Sequence, residues 1–546
     1  MNTPQLMNQL RKLGVRLWLD GDQVRFSAPP GVMGPELRNE LQARKEELRF
    51  FIADAKRRVV KGSATAPIVP VSREGEQPLS FAQQRLWFLD QLGAGEAYNM
   101  PLVLRLEGTL DVEALRRAFE EIVRRHEALR TTFGSRDGRP WQRIQPPPAW
   151  PLPLEDVSPL PPAARAAATT LQIRTASQRP FALAHEWPLR TLLVRLAAQD
   201  HVLVVVLHHI VADGWSLGVL TRELTALYRA FVQGQAAPLA PLPVQYADFA
   251  QWQRGWLRGA VLEAELAYWR QQLADVPVLA LPTDRPRPAV QTFEGAVQMQ
   301  PVPGPVSAAL QQVSQALGAT VYMTLLAAYQ VLLARYTGQT DIVVGSPIAN
   351  RTRHELEGLI GFFVNSLVLR VDLGDDPRFA ALVGRVRQTT LEAYAHQEVP
   401  FEKLVEELEP ERQLNQNPLF QVMFAVQNAP TAELTLPGLR LTPGGDEVTR
   451  TRFDLEWHVW TAAAELQLVV FYNTALFNGA TIERMAQSYL FLLEQIVQRP
   501  DESVQTLVRA VTEHEEQQRQ SWLLDRKTRG LESLRKLRRQ ARRGSV

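Results

Sequence analysis

The chain has 546 residues, enough for three or four units at roughly 150 residues per domain. Its 60 basic residues nearly balance its 58 acidic ones, and a net charge of +2 does not support nucleic-acid binding. The absence of cysteine excludes a disulfide framework, a thiolate zinc site and a cysteine nucleophile. No apolar stretch approaches the roughly 18 residues of a membrane span, and the polar N-terminus lacks a signal-peptide core, so we expect a cytoplasmic protein without membrane contact.

Residues 1–57 form a predicted small unit of their own. Apolar residues alternate on both sides of Asp20-Gly21, which predicts a β-hairpin. A short helix precedes the hairpin, and Pro35 can open the first of two helices that follow it. The expected order is αββαα. Residues 58–78 then lose periodicity and collect Gly, Ser, Pro and charge, which indicates a linker.

Strands and amphipathic helices alternate from residue 79 to about 498, which predicts a mixed α/β (α+β) fold. A segment of this length is too long for one compact core, so we expect two lobes, 79–245 and 246–500. The clearest predicted helices span 112–126, 262–273, 305–317, 321–336 and 475–498, and the clearest strands span 192–196, 202–207, 341–345, 367–371 and 466–471.

The segment 501–546 is polar and then basic. A partner-binding helix, an RNA-binding arm and a solvated linker all fit this composition, and the linker is the interpretation that we favour. No glycine-rich phosphate loop is present, so nucleotide binding is unsupported.

Two adjacent histidines, His208 and His209, follow the apolar run 202–207 and precede a helix predicted from Trp215. The pair therefore lies at a strand-to-helix turn. A histidine there can take a proton near neutral pH, because its unperturbed pKa is about 6.5. Asp213 can orient the turn through a buried ion pair, and Gly214 lets the backbone turn without a Cβ clash. A metal site and a satisfied loop histidine are the alternatives.

Several ordered motifs make residues 79 to about 498 resemble the condensation domains of nonribosomal peptide synthetases. They are SFAQQRLWFL at 80–89, RHEALRTTF at 125–133, HHIVADG at 208–214, YADFAQW at 246–252, GSPIANR at 345–351, IGFFVNS at 360–366, HQEVPFE at 396–402 and NPLF at 417–420. Ser366 stands where threonine is more often expected. The HHIVADG and opening motifs are most similar to members that join two L-configured aminoacyl groups.

The resemblance implies two chloramphenicol-acetyltransferase-like lobes in a V. It also implies amide formation between an upstream carrier-bound acyl or peptidyl thioester and the amine of a downstream carrier-bound aminoacyl thioester. The implied partners are therefore peptidyl carrier proteins, which deliver substrates on 4'-phosphopantetheine. No directly bound cofactor and no metal are expected.

The resemblance assigns the central motif its roles. His209 accepts the proton of the attacking amine or positions that amine by a hydrogen bond. His208 is interpreted as a buried structural partner rather than a direct participant. Asp213 is expected to pair with Arg351, and Gly214 to allow close approach of the pantetheine arm.

Four further residues are placed with the substrate. Ser346 either hydrogen bonds the substrate or caps a turn. Arg85 and Asn365 line the inner tunnel or bridge the lobes, and Trp215 belongs to the same substrate-binding set.

Residues 1–57 resemble the small tubulysin-type docking domains that capture the C-terminal peptide of an upstream synthetase subunit. An exposed hairpin edge can accept an added strand. Basic residues near that edge favour an acidic peptide, and they are Arg11, Lys12, Arg16 and Arg25.

Two other functions compete with amide formation between carriers. One is a noncatalytic condensation-like platform that recruits a tailoring enzyme to a carrier protein. The other is an acyltransferase that uses a soluble amine or alcohol. Degenerate platforms tend to lose histidines of the central motif, and this chain has both His208 and His209. Since no adenylation, carrier or thioesterase segment is recognised, we also expect that the chain is an excised part of a larger protein.

Overall fold

The structure is a computed structural model, and it describes residues 67–521 apart from 148, 410–414, 428–433, 445–449 and 463–464. Before residue 67 it describes residues 6, 10, 15–20, 23–28, 34, 41, 45 and 48. Most of the predicted N-terminal helices, and the basic segment beyond residue 521, lie outside the described residues.

The predicted N-terminal hairpin is confirmed. Strands β1 (Arg16–Asp20) and β2 (Gln23–Ser27) pair antiparallel, with Asp20 opposite Gln23. A small apolar core lies beside the hairpin, and its buried members are Leu6, Leu10, Val15 and Leu48.

The following elements fall into two halves of the chain. Up to residue 272 they are β3 (Gln77–Pro78), α1 (Phe81–Leu89), β4 (Asn99–Gly108), α2 (Val112–Arg125), β5 (Thr131–Arg136), β6 (Arg139–Ile144), β7 (Leu154–Asp156), α3 (Pro162–Gln178), β8 (Leu189–Ala197), β9 (Asp200–His208), α4 (Gly214–Val232), α5 (Tyr246–Trp256) and α6 (Gly259–Gln272). Beyond it they are β10 (Gly295–Pro301), α7 (Gly304–Ala316), α8 (Val321–Thr337), β11 (Asp341–Ile348), α9 (His354–Glu357), β12 (Asn365–Asp372), α10 (Phe379–Ala395), α11 (Phe401–Leu408), β13 (Val422–Gln427), β14 (Leu439–Pro443), β15 (Leu455–Ala462), β16 (Glu465–Asn473), α12 (Gly479–Gln498) and α13 (residues 504–521).

These elements build two hydrophobic cores, so the mixed α/β fold is confirmed. The first core surrounds a five-stranded sheet in the order β14-β4-β9-β8-β7. Its central strand β9 is apolar from Val202 to Leu207 and buried throughout, as a strand covered on both faces must be. The second core surrounds a six-stranded sheet in the order β10-β16-β15-β13-β11-β12, with α8 packed inside it.

Two segments of the second half cross into the first core. Strand β14 pairs with β4 at the edge of the five-stranded sheet. Residues 356–363, which run from the end of α9 toward β12, contribute Leu356, Leu359, Ile360 and Phe363 to the first core. The cores therefore share backbone pairing and packing, and the second crossing segment brings residues 361–363 next to α4.

The structure corrects several predicted boundaries. Helix α12 begins at Gly479 rather than at 475, because Asn478 takes the extended conformation of a helix N-cap. Part of the predicted linker packs onto the fold, since Ile68 is buried and β3 pairs with β6. The predicted C-terminal linker contains α13, whose apolar side chains join the second core, so the linker interpretation is wrong for residues 504–521. The predicted boundary between the lobes at residue 245 is too early, because Tyr246 and Phe249 pack in the first core.

No single described helix is long and apolar enough to cross a bilayer. Helices α7 and α8 reach that length and composition only together, and a bend of 103° separates them.

Candidate active site

The histidine pair lies at the junction predicted from the sequence. Strand β9 ends at His208, one tight turn spans His209 to Val211, and α4 begins at Gly214. Asp213 caps α4, because its Oδ1 accepts the Ser216 amide at 2.8 Å. The turn therefore presents His209 from a junction that is anchored on both sides.

His208 is fully buried and is held within its own turn. Its Nδ1 accepts the Ile210 amide at 3.1 Å, and its ring meets that of Phe181 edge-on with centroids 5.9 Å apart. Burial lowers the pKa of His208 to about 3, so the ring is neutral at physiological pH. This geometry is that of a structural residue, as expected from the sequence.

His209 is only partly buried, and its ring has different neighbours. Its Nδ1 is buried and forms no hydrogen bond to the described residues. Its ring instead contacts Phe362, with centroids 5.1 Å apart and an interplanar angle of 70°. Burial holds the pKa of His209 well below its usual value, the positive charge of Arg452 lowers it further, and nearby carbonyls of Ala212 and His209 offset a smaller part. His209 is therefore neutral at neutral pH and can accept a hydrogen bond.

The predicted ion pair of Asp213 and Arg351 is present. Arg351 Nη2 lies 3.1 Å from Asp213 Oδ1, and the side chains are 1% and 3% exposed. Arg351 Nη1 also donates to the carbonyls of Leu356 and Leu359, at 2.6 and 2.8 Å. Asp213 Oδ2 accepts the Phe363 amide at 3.0 Å. The pair thus ties the start of α4 to the crossing segment.

Ser216 is a member of this network that the sequence did not single out. Its buried hydroxyl lies 2.7 Å from Asp213 Oδ1 and accepts from Arg351 Nη2 and from the Gly361 amide, each at 3.1 Å. The spacing from Asp213 to Ser216 is that of a helix cap and its third residue, which is a local signal. Its contact with Gly361 spans 145 positions, and no local pattern predicts it.

Gly214 does not have the conformational role that we expected. Its φ is not positive, and among the described residues beyond its own turn of helix no atom lies within 4 Å of where a Cβ would sit. The backbone turns earlier, from His209 to Val211, so glycine at 214 is not needed for the turn. Gly214 is exposed beside open space, and the expected approach of a pantetheine arm stays a prediction. The Trp215 indole donates to the Glu357 carbonyl at 2.9 Å, so its polar atom is used within the fold.

Ser346 lies inside strand β11 and caps no turn. Its hydroxyl donates to the Phe424 carbonyl at 3.0 Å and accepts from Tyr322 Oη at 2.7 Å. Both partners belong to the second core, so its hydrogen-bonding capacity is used internally.

Arg85 and Asn365 differ in what they connect. Arg85, on α1, pairs with Glu402 at 3.4 Å and lies over the Phe401 ring, so it joins elements of the two halves. Asn365 instead holds a loop of its own half. Its amide donates to the carbonyls of Gln397 and Val399, and its Oδ1 accepts the Phe401 amide. Of the two roles considered for this pair, bridging fits Arg85 and not Asn365.

A second polar cluster, also missed from the sequence, lies where β15 begins. Glu456 Oε1 accepts from the Thr451 hydroxyl at 3.0 Å and the Arg452 amide at 2.9 Å. Burial opposes ionisation of Glu456, but His458, whose Nε2 lies 3.6 Å from Glu456 Oε2, and the charge of Arg452 outweigh it and hold the Glu456 pKa at about 2. Because the charge of Arg452 also lowers the pKa of His209, this cluster belongs electrostatically to the site.

Among the described residues, no group of three histidines, aspartates or glutamates could hold a metal ion. The side chains of the predicted docking residues Arg11, Lys12, Arg16 and Arg25 lie outside what the structure describes, and only the strands that contain Arg16 and Arg25 are placed.

A condensation-domain family model matches residues 73–519, and a model of the TubC N-terminal docking domain matches residues 4–52. The chain therefore belongs to the condensation-domain family, with a docking domain before it. The resemblance stated from the motifs is confirmed.

The relatives of the chain include large peptide synthetases. It is 50% identical over 457 residues to one of the subunits of linear gramicidin synthase from Brevibacillus parabrevis, covering 83% of this chain and 6% of that protein. It is 45% identical over 438 residues to chondramide synthase cmdD of Chondromyces crocatus, covering 80% of this chain and 11% of that one. The chain thus spans a small part of each.

A solved structure with a similar fold is the X-domain from teicoplanin biosynthesis. It matches with a TM-score of 0.74 and 29% identity, over 80% of this chain and 99% of the X-domain. The complex of that X-domain with OxyB matches equally well, with a TM-score of 0.74 and 29% identity, over 81% of this chain and 98% of the matched chain.

Proposed function

We propose that this chain catalyses amide formation between two carrier-bound substrates. The amine of a downstream aminoacyl thioester attacks the thioester carbonyl of an upstream acyl or peptidyl group. A C–N bond forms, the C–S bond breaks, and the upstream pantetheine leaves as a thiol. The energy of the step comes from the thioester, so neither nucleotide nor metal is required.

The observation that carries this proposal is the state of His209. It is neutral, partly exposed and anchored at a strand-to-helix junction, so it can accept a hydrogen bond from the attacking amine. Positioning of bound reactants contributes about 7–11 kcal/mol to such reactions. General-base catalysis contributes about 10²–10⁴-fold. Because its lowered pKa makes His209 a weak base, we assign it positioning of the amine as its main role.

Two kinds of partner follow from this proposal. Peptidyl carriers upstream and downstream deliver the two substrates on phosphopantetheine. The N-terminal hairpin, a two-stranded sheet, takes up the acidic C-terminal peptide of an upstream synthetase as an added strand. We place the reaction in the cytoplasm.

A noncatalytic recruitment platform is the second candidate. Its support is the likeness to an X-domain whose structure was solved in complex with OxyB. The presence of both His208 and His209 favours catalysis over this alternative.

Intact-protein mass spectrometry separates the two functions. A donor carrier and an acceptor carrier, each loaded with an aminoacyl thioester, are incubated with and without the chain. Amide formation adds the donor acyl mass to the acceptor carrier only when the chain is present. If several loaded pairs bind without transfer, the chain is a platform and the proposal is wrong. Transfer to a free amine but not to a loaded acceptor indicates a soluble-acceptor acyltransferase.

A further inference from the structure

His209 differs from most histidine bases in what holds its ring. In such sites a carboxylate or carbonyl commonly hydrogen bonds one ring nitrogen and fixes the orientation of the imidazole. Within the described part of the chain, His209 Nδ1 has no such partner. The Phe362 ring meets the imidazole at 70°, an edge-to-face arrangement that aromatic rings prefer.

The backbone around Phe362 is fixed by side chains of the first half. The Phe362 carbonyl accepts from Tyr246 Oη at 2.6 Å. On one side the Gly361 amide donates to Ser216 Oγ at 3.1 Å, and on the other the Phe363 amide donates to Asp213 Oδ2 at 3.0 Å. Three consecutive residues of the crossing segment are thus held by hydrogen bonds from α4, its cap and α5.

Packing fixes the same segment. A Cβ at Gly361 would lie 2.1 Å from the Tyr246 ring, so this position has no room for a side chain. The Phe363 ring packs against Tyr246 and Phe249 at 4.9 and 4.8 Å, and the Arg351 guanidinium lies 4.1 Å from its centroid. The segment cannot move without disturbing the first core, while the Phe362 ring stays partly exposed beside His209.

We propose that Phe362 is a positioning residue for His209, and that the network of Asp213, Ser216 and Arg351 acts on the reaction through it. This inference rests on the proposed function, because the orientation of His209 matters only if His209 meets the substrates. The aromatic ring replaces the orienting hydrogen bond of other histidine sites, and it is supplied by the second half of the chain.

The test compares Phe362→Ala and the bulkier Phe362→Leu with a ring-retaining variant, Phe362→Tyr. Phe231→Ala is the matched control, because Phe231 is also partly buried against the first core but lies at the far end of α4. We expect the alanine and leucine variants to slow single-turnover transfer between saturating loaded carriers by up to about 10²-fold, as small misplacements do. The KM for the loaded carriers should not change. The tyrosine and control variants should transfer at the wild-type rate.

A double-mutant cycle separates positioning from direct contact with the substrate. In a His209→Ala background, Phe362→Leu should not slow transfer further, because the imidazole that Phe362 orients is absent. An equal loss in both backgrounds, or a wild-type rate for Phe362→Leu, would overturn the proposal.

NMR of histidine-labelled protein supplies a readout that does not depend on turnover. The His209 ring signals should shift in Phe362→Leu and not in Phe231→Ala. Unchanged His209 signals refute the positioning role, whether or not any carrier pair reacts, whereas absent transfer by the wild type refutes only the proposed function.

Discussion

Asp213 and His209 lie four residues apart on one turn, and their surroundings are opposite in kind. The Asp213 carboxylate is buried and accepts from the Ser216 hydroxyl, the Arg351 guanidinium and two backbone amides. His209 is partly exposed; within the described part of the chain its buried Nδ1 has no hydrogen-bond partner, and the Phe362 ring lies against the imidazole instead. The charged Asp213 therefore ties α4 to the crossing segment, whereas the neutral His209 can contact a substrate.

The strongest test of this difference is removal of the imidazole. We expect His209→Ala to lower transfer by about 10²-fold or more, since it removes the hydrogen-bond acceptor that positions the amine. Transfer is followed by mass spectrometry of the acceptor carrier, and folding by thermal melting. Melting should be nearly unchanged, because His209 Nδ1 forms no hydrogen bond to the described residues. His209→Gln, which retains a hydrogen-bond acceptor, should keep more activity than alanine if positioning dominates; equal loss in both variants favours the base.

Asp213→Ala should act on stability instead. Removing one partner of a buried ion pair leaves the other charge unpaired and costs about 3–5 kcal/mol. Urea unfolding measures the loss. Arg351→Met should lower the free energy of unfolding by a similar amount. The double variant should lose less than the sum of the two single losses, because each single variant leaves an unpaired charge and the double variant leaves none. An unshifted unfolding curve for Asp213→Ala would contradict the structural role given to this pair.

His208 extends the comparison to a buried neutral histidine. Its pKa is about 3 in the folded chain, whereas it is about 6.5 when unfolded, so the unfolded state binds more protons between those values. The contribution of His208 to the free energy of unfolding is therefore fully present above pH 6.5 and is lost as the pH falls. Between pH 6.5 and 5 the loss is about 2 kcal/mol. His208→Asn, which offers an acceptor to the Ile210 amide, should flatten this slope in urea unfolding at several pH values. An identical slope would show that His208 does not titrate in this way.

The smallest effect should come from Arg452, whose charge lowers the pKa of His209. Arg452→Gln removes that charge and should raise the His209 pKa toward its ordinary value. Because transfer requires neutral His209, the acid limb of the pH–rate profile should move to higher pH, by less than about one unit. Arg450→Gln is the matched control, since Arg450 pairs with Glu96 at 3.1 Å. If the pH–rate profile does not move, the charge of Arg452 does not act on His209.

Local sequence patterns predicted the features of the fold and site that depend on residues close together in the chain. The apolar run of β9, the histidine pair and the amphipathic α4 gave the strand-to-helix junction, and the spacing around Asp20-Gly21 gave the hairpin. The pairing of Asp213 with Arg351 was expected only through the family resemblance, because 138 positions separate the two residues.

The rest depends on how distant segments meet. Ser216 was not singled out, and Phe362 was noted only as part of the IGFFVNS motif, because their contacts arise only when residues 361–363 cross into the first core. The internal hydrogen bond of Ser346 was not predicted, because its partner Tyr322 lies on a helix that packs against the strand and is distant in sequence from any local signal. Helix α13 was mistaken for a linker because its apolar positions, among them Val504, Leu507 and Val511, all lie in its first half, and polar and charged residues fill the second.

The most direct test of the central contrast is an NMR titration of the His209 ring nitrogens in the whole chain, from pH 5 to 8. If His209 is neutral and without a polar partner, its nitrogen shifts should show no protonation across this range. A midpoint near 6.5, or shifts typical of a ring nitrogen hydrogen bonded to a carboxylate, would contradict the contrast drawn between His209 and Asp213.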